Sequence, residues 1–401
     1  MTSEWNEVPL RELVGYISKG IAPSYAEEAS ESTIRVLNQK CNRNFRISYG
    51  DSRLHDTLKK KVPPERYVKP DDILINSTGA GTAGRIAQIE DVPSATTIDG
   101  HMILIRSNGK VTQKFLGYAL KAHQWEVLQL DEGSTGQTEL NRDRLLDEIM
   151  INYPVSLDEQ NAIVGTLESI DRKLIVNEQL NDNLEQQAQS YFQELFVDNA
   201  SPEWTTGTIS DLGTVVGGST PSKAKPEYYT ESGIAWITPK DLSINKSKFV
   251  SHGENDITEL GLKNSSAAIM PEGTVLFSSR APIGYIAIAA GEVTTNQGFK
   301  SVVPKPEIGT PFVYFFLKNT LPVIEGMASG STFKEVSGST MKNVPAVIPD
   351  AETLAKFSDF CAPIFEQQRT LEELNQSLAK LRDSLLPKLM SGEIDVSAVQ
   401  L

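Results

Sequence analysis

The sequence predicts an α+β protein: two repeated globular domains, each followed by a long helix, with the two helices paired as an antiparallel coiled coil. Three observations carry this expectation. The first is a seam near the middle of the chain, formed by Ile163, Leu167, Ile170, Leu174, Asn177, Asn181, Leu184, Ala188, Tyr191 and Leu195. Its gaps alternate between four and three, a period of 3.5 that belongs to a helix with one narrow apolar stripe. The second is a matching seam near the end of the chain, Phe360, Ile364, Gln367, Leu371, Leu374, Leu378, Leu381 and Leu385. The third is an internal repeat at an offset near 200 residues. A helix with one apolar stripe and polar flanks needs a partner, and each seam supplies the other's. The expected organisation is a domain over 1–156, a helix over 157–199, a second domain over 200–350 and a closing helix over 351–401.

The central helix should run from about Leu157 to Phe196, with no glycine after Gly165 and no proline after Pro154. At 1.5 Å per residue it would be about 50 Å long. Asn177 and Asn181 on the first seam, and Gln367 on the second, weaken an apolar interface but specify register and orientation. They are expected to favour pairing of one helix with the other over self-association of copies.

The repeat keeps its order along the chain. Glu4-Trp5 recurs as Glu203-Trp204, each followed by an amphipathic stretch with Leu10, Leu13 and Ile17 or Ile209, Leu212 and Val216. Lys19 to Ser24 answers Gly217 to Ser222, and the extended run Ile34 to Lys40 answers Ile234 to Lys240. Pro70-Asp71-Asp72-Ile73-Leu74-Ile75-Asn76-Ser77 aligns with Pro271-Glu272-Gly273-Thr274-Val275-Leu276-Phe277-Ser278. Phe115–Lys121 and Phe312–Lys318 read as short buried helices, and Gly133-Ser134-Thr135 and Gly330-Ser331-Thr332 lie behind them. Landmarks that shape turns and strands recur while the residues between them differ. Such a chain suits a protein that reads two different things at a fixed separation.

Length and composition narrow the class. At 401 residues the chain has room for two or three domains with their own cores. No apolar run reaches the length of a membrane span, and Met-Thr-Ser-Glu-Trp lacks the opening of a signal peptide, so a cytoplasmic protein is expected. Cys41 and Cys361 are far apart in sequence and build no disulfide framework, while His55, His101, His123 and His252 show no metal-ligand spacing. The net charge of −14 argues against independent, non-specific binding to nucleic acid, where affinity comes largely from neutralising phosphates. A local basic face, or DNA binding within a larger complex, stays compatible with it.

Gly79-Ala80-Gly81-Thr82-Ala83-Gly84 fits the G-x-G-x-x-G string of dinucleotide-binding turns. That fingerprint needs a helix next, and Arg85-Ile86-Ala87-Gln88-Ile89 reads as a strand. The repeat has Arg280-Ala281-Pro282-Ile283-Gly284 there, without the glycines. A loop between two strands is expected, and no cofactor. Asp71 and Asp72 read as solvated turn residues rather than an acid/base pair. No Walker loop, G-x-S-x-G elbow, H-E-x-x-H or amino-methylation motif occurs, so no catalytic or metal site is expected.

Taken together, these motifs resemble the specificity subunit of type I restriction–modification systems. The resemblance is carried by the paired Pro70 and Pro271 segments, by Trp236-Ile237-Thr238-Pro239-Lys240-Asp241-Leu242, by Asn296-Gln297-Gly298 and by Gly330-Ser331-Thr332. The ending Leu385-Leu386-Pro387-Lys388-Leu389-Met390-Ser391-Gly392-Glu393-Ile394 adds to it. It covers nearly the whole chain. The first copy departs from the pattern, with Asn76-Ser77-Thr78-Gly79 where the second has Phe277-Ser278-Ser279-Arg280. The resemblance implies two target recognition domains, each reading half of a split sequence in double-stranded DNA, and a coiled coil that spaces them. It implies two modification (methyltransferase) subunits bound to the helices, restriction (endonuclease/translocase) subunits in the full complex, and no catalytic role for this chain.

Reading bases needs polar side chains that reach groove edges, plus donors to phosphate. The candidates in the second copy are Thr220, Lys223, Thr238, Lys240, Ser278, Ser279, Arg280, Asn296, Gln297, Ser331, Thr332 and Lys334. Those in the first are Ser24, Asn38, Lys40, Ser77, Thr78, Arg85, Ser134, Thr135 and Gln137. Arg280 is the leading guanine contact, because its fork can take O6 and N7 together. Lys59-Lys60-Lys61 with Arg66 is the one basic cluster of the first copy. About 30 paired helix residues would span about 45 Å, a little over one DNA turn of about 34–36 Å. The main rival is a two-headed protein-binding scaffold that touches no DNA; another is a specificity region detached from a fused restriction–methylation enzyme.

Overall fold

The computed structural model describes residues 4–79, 81–132, 139–280, 282–330 and 334–396. Its contacts divide the chain into two compact units, Met1–Lys173 with Leu378–Leu401, and Leu174–Ser377. Both long helices contribute a segment to each unit.

The main sheet of the first unit has four strands: β1 (Val14–Lys19), β2 (Ile73–Asn76), β3 (Ile86–Gln88) and β4 (Met102–Ser107). They lie in the order β1-β4-β2-β3, all antiparallel. Apolar residues occupy both faces of the two inner strands. Ile73, Ile75, Ile103 and Ile105 face one core cluster, and Leu74, Met102 and Leu104 face another. This is the period-2 alternation of a strand buried on both sides. Helix α1 (Gln113–Ala122) packs on the first of those faces through Phe115, Leu116, Ala119 and Leu120. It starts where the Thr112 side chain accepts from the Phe115 N–H, a side-chain N-cap. A smaller sheet orders Thr96–Ile98, Thr33–Leu37, Arg53–Asp56 and Tyr25–Ala26. Trp5–Pro9 pairs with Met150–Pro154 and ties the ends of the domain together. Helix α2 (Leu157–Gln193) follows.

The second unit repeats this plan. Its main sheet contains β5 (Gly213–Gly217), β6 (Val275–Ser279), β7 (Ile283–Ala289) and β8 (Lys300–Pro304), in the order β5-β8-β6-β7, with Phe249–Val250 added in parallel beside β7. Val275 and Phe277 face one cluster and Leu276 the other. Helix α3 (Thr310–Gly326) takes the place of α1, and Thr205–Thr208 pairs with Pro345–Ile348. The small sheet runs Thr294–Thr295, Ile234–Ile237, Asn255–Ile257, Tyr229–Thr230, with the same single parallel pair at the same edge. Helix α4 spans Ala351–Met390.

Two expectations about the domains change in this description. Asp72 is not solvated: it is 2% exposed and receives two hydrogen bonds from Arg106, both 2.7 Å. The register of the repeat also moves by one residue. The N–H groups of Asp71 and Gly273 donate to Ile89 and Ala289, and those of Ser77 and Ser279 to His101 and Gly298. Asp71 therefore answers Gly273, both at positive φ (67° and 82°), and Thr78 answers Arg280. A one-residue slip turns every strand side chain to the other face, so hydrogen bonds decide what apolar similarity leaves open. The glycine-rich stretch is, as expected, a turn between β2 and β3 with no helix after it.

The helices pair antiparallel. In the second unit Asn177 bonds Asn375, Asn181 bonds Glu372, and Glu185 bonds Gln368, so one number rises as the other falls. In the first unit, Ile163, Val164 and Leu167 share a core with Leu386, Leu389 and Met390. On α2 the seam residues Leu167, Ile170, Leu174, Asn177 and Leu184 are buried and Asn181 is half-buried. On α4 the seam differs. Ile364 and Leu371 are buried and Leu378 is half-buried, but Leu374 and Leu381 are 39% and 47% exposed and Gln367 faces water. Phe357, Cys361, Gln368, Asn375, Arg382 and Leu386 turn inward instead. The chosen frame contains polar residues because each has a partner: Gln368 with Glu185 and the Asn181 carbonyl, Asn375 with Asn177, and Arg382 with Asp171.

Candidate nucleic-acid interface

At the end of each main sheet the chain makes several close turns, and these bring part of the expected polar set together. In the second unit the Asn296 N–H donates to the Ile237 carbonyl and the Ser219 N–H to the Thr295 carbonyl. These bonds place the loops after β5, after Ile234–Ile237 and before β8 side by side. Gly218 sits where a side chain cannot, since a Cβ there would lie 1.9 Å from the Asn296 oxygen. Gly20 occupies the same place in the first unit, with its Cβ position 2.1 Å from the Asp99 oxygen. Close backbone approach at the two loops explains why both copies carry glycine there.

On this edge of the second unit Thr220 is hydrogen-bonded to Gln297. Arg280 Nη1 and Lys300 Nζ each lie 3.9 Å from a different oxygen of Glu335. Asn296 turns inward to accept from the Gly298 N–H at 2.8 Å. Thr238 caps the helix Pro239–Ile244 in a capping box with Asp241, and Lys240 pairs with Glu254 at 2.6 Å. Lys223 and Lys334 are exposed. Ser278 and Ser279 are fully buried; their hydroxyls donate to the Pro282 and Gly298 carbonyls. Burial removes both from the groups that can touch a base directly.

The edge of the first unit is chemically different. Lys19 is paired with Glu139, and Thr78 is hydrogen-bonded to His101 Nδ1 at 2.7 Å. The His101 N–H donates to Asp99 Oδ1 at 2.9 Å. Burial pushes the Asp99 carboxyl above its ordinary range, with the hydrogen bond from His101 opposing. Ser77 is buried like Ser279, and its hydroxyl faces the Gly100 carbonyl. Asn38 caps the short turn Gln39–Cys41 and donates to the Asp51 carbonyl, while Lys40 is exposed. Arg85 donates back to the Gly81 carbonyl at 3.1 Å, and the Ser24 N–H donates to His55 at 2.9 Å. Lys60 donates to the Ala22 carbonyl, and Arg66 donates weakly to Gly20 at 3.4 Å, so the basic cluster is partly spent on its own backbone. Ser134, Thr135, Gln137, Ser331 and Thr332 lie outside the described residues.

Lys19, Asp99, His101, Glu139, Lys300 and Glu335 share these edges yet were not singled out in the sequence. A signal for one pair existed: Asp99-Gly100-His101 stands 197 residues before Asn296-Gln297-Gly298. Asp99 and Asn296 make the same backbone bond, to Leu37 and Ile237 respectively. The offset was legible; the shared role needed the fold.

The fold is a duplicated α+β domain with divergent polar edges and a paired-helix element in each unit. The chain matches the family described as the type I restriction modification DNA specificity domain twice, over residues 2–186 and 202–380, and it belongs to that family. It is 38% identical over 198 residues to the type I restriction enzyme MjaIX specificity subunit of Methanocaldococcus jannaschii, an alignment covering 47% of this chain and 46% of that one. It is 28% identical over 194 residues to the HindI specificity subunit of Haemophilus influenzae, covering 48% and 42%. The matched region thus spans about half the length of these curated relatives. In fold it is similar to the crystal structure of the type I restriction-modification system S subunit from M. genitalium, with a TM-score of 0.59 at 17% identity over 97% of this chain and 96% of that one.

Proposed function

We propose that this chain is the DNA-recognition subunit of a type I restriction–modification complex. Residues 1–156 and 200–350 act as target recognition domains, each reading one half of a split sequence in double-stranded DNA. The helices over 157–199 and from 351 onward set the spacing between them. Two modification subunits dock on the helices and carry out adenine methylation; restriction subunits join them for cleavage. This chain positions the target and performs no chemistry. The setting is cytoplasmic, in keeping with the absence, among the described residues, of any helix long and apolar enough to cross a membrane.

The observation that carries this reading is one backbone plan presented twice with different side chains. The edge of one copy carries Arg280, Lys300, Thr220 and Gln297 and that of the other Thr78, His101 and Lys19, with Arg280 standing where Thr78 does. Different polar groups on the same loops suit two readers of different half-sites. The outer helix faces of the second unit support docking of a partner there, since Val176, Leu180 and Leu374 are 49%, 38% and 39% exposed. The net charge of −14 favours a second reading, the two-headed protein scaffold without DNA.

One experiment separates the two. The chain is co-expressed with a candidate modification subunit and the host methylome is sequenced. A split adenine-methylated motif is expected, and exchanging residues 1–156 for those of a relative should change one half of it only. Absence of any motif, or a motif indifferent to the exchange, would overturn the proposal and leave the scaffold.

A further inference from the structure

The two edges differ in most of their side chains, yet one arrangement is common to both. In the first unit the backbone of Glu139 bridges that of Thr78, and its carboxylate holds the Lys19 ammonium. In the second, the backbone of Glu335 bridges that of Arg280, and its carboxylate lies 3.9 Å from both Arg280 and Lys300. The bonds from the Leu140 N–H to Ser77 and from the Val336 N–H to Ser279 fix Glu139 and Glu335 as equivalent positions.

The lysines are not equivalent. Lys19 ends β1 and faces Ile103 of β4, whereas Lys300 begins β8 and faces Gly217 of β5. The acid keeps its place while its lysine moves to the neighbouring strand. A side chain that reads a base should change between domains reading different sequences. One that must neutralise a lysine can stay where it is, whichever strand supplies the cation. The side chains of Glu139 and Glu335 are 55% and 42% exposed, so an incoming duplex can reach both.

We infer that Glu139 and Glu335 are competitor carboxylates that hold the edge cations until a correctly placed DNA acceptor displaces them. This rests on the DNA-reading proposal above. A carboxylate at a phosphate-facing surface weakens binding to any duplex by like-charge repulsion and by occupying the lysine. Cognate DNA offsets that loss with base contacts, which arbitrary DNA lacks. The effect is a specificity device in a chain whose overall charge already opposes non-specific binding.

The test is fluorescence anisotropy of the full chain co-purified with its modification subunits, with a duplex of about 30 base pairs and arbitrary sequence, over a salt series. Glu335→Gln and Glu139→Gln are each expected to bind it several-fold more tightly and to steepen the log affinity against log salt plot by about one, the signature of an added phosphate contact. Lys300→Gln and Lys19→Gln should each lower the affinity, and Glu335→Gln combined with Lys300→Gln should lose most of the gain. If the lysine variants weaken binding and the glutamine variants leave affinity and slope unchanged, the competitor role is overturned while DNA reading stands. If neither wild type nor any variant binds arbitrary DNA, the competitor role is overturned, and the methylome experiment above decides DNA reading on its own.

Discussion

Glu185 stands between two lysines and an aromatic wall in the second unit. Lys248 Nζ lies 2.6 Å from its carboxylate and donates to Gln368 at 2.6 Å, with the rings of Phe365, Tyr314 and Phe315 within 3.8–5.2 Å of the ammonium. Lys318 and the Tyr314 hydroxyl bond the other oxygen. Asp171 has a similar role in the first unit, receiving Tyr118, Lys121 and Arg382. Glu185→Ala would leave Lys248 buried without its counter-charge, at a cost of about 3–5 kcal/mol, read as a lower midpoint in urea unfolding. The pair Glu185→Leu with Lys248→Met should recover most of that loss, since both charges leave together. Burial acts to raise the Glu185 carboxyl, but the charges of Lys248 and Lys318 win and hold it below the usual range. A depressed carboxyl contributes stability above its unfolded value of about 4.3 and loses it as pH falls through the folded one. The wild-type urea midpoint should therefore fall more steeply below about pH 4 than that of the double variant.

At the scale of elements, the helix pair illustrates what periodicity can and cannot specify. Alternating fours and threes identified both helices and most of the inward face of α2, while Gln160, Val164 and Phe192 are buried outside the stripe. On α4 the same rule chose the stripe with most leucines, and Leu374 and Leu381 lie outside. Two stripes share Ile364, Leu371 and Leu378; the one used carries Gln368, Asn375 and Arg382 at the positions between. Apolarity alone ranks these residues low, whereas their partners on α2 make them acceptable. Asn177→Leu should cost about 1–3 kcal/mol, because it leaves Asn375 without its 2.7 Å partner. Adding Asn375→Leu should return most of that stability. Urea unfolding of the two single variants and the double variant would measure the coupling; independent, additive losses would remove the hydrogen bond as the reason for this frame.

For the whole molecule, the proposed spacing role makes a geometric prediction. Four residues inserted within α2, together with four at the facing position of α4, add about 6 Å of helix. The unspecified gap between the half-sites should grow by about two base pairs at about 3.4 Å each. Methylome sequencing of the lengthened chain reads this directly, and an unchanged gap would rule out the helices as the spacer. The half-sites themselves should stay the same, since no residue of 1–156 or 200–350 is altered.

Much of this protein is written locally. Two domains, two helices, the doubled strand pattern and the strand after Gly84 all follow from residues within a few positions of one another or from recurrence at one offset. Those signals survive in a single sequence because strand alternation and helix periodicity depend on near neighbours. Three features depended on tertiary contacts: the seam frame of α4, the one-residue register of the repeat, and which polar side chains reach solvent at the edge. Ser77, Ser278 and Ser279 have the right chemistry for contacting DNA and are buried. Glu139 and Glu335 have the opposite charge from the expected contacts and lie on that edge, beside Lys19 and Lys300. The register bonds span 16–24 residues and the edge ion pairs and α4 contacts 35 or more, through hydrogen bonds and ion pairs that no local pattern encodes.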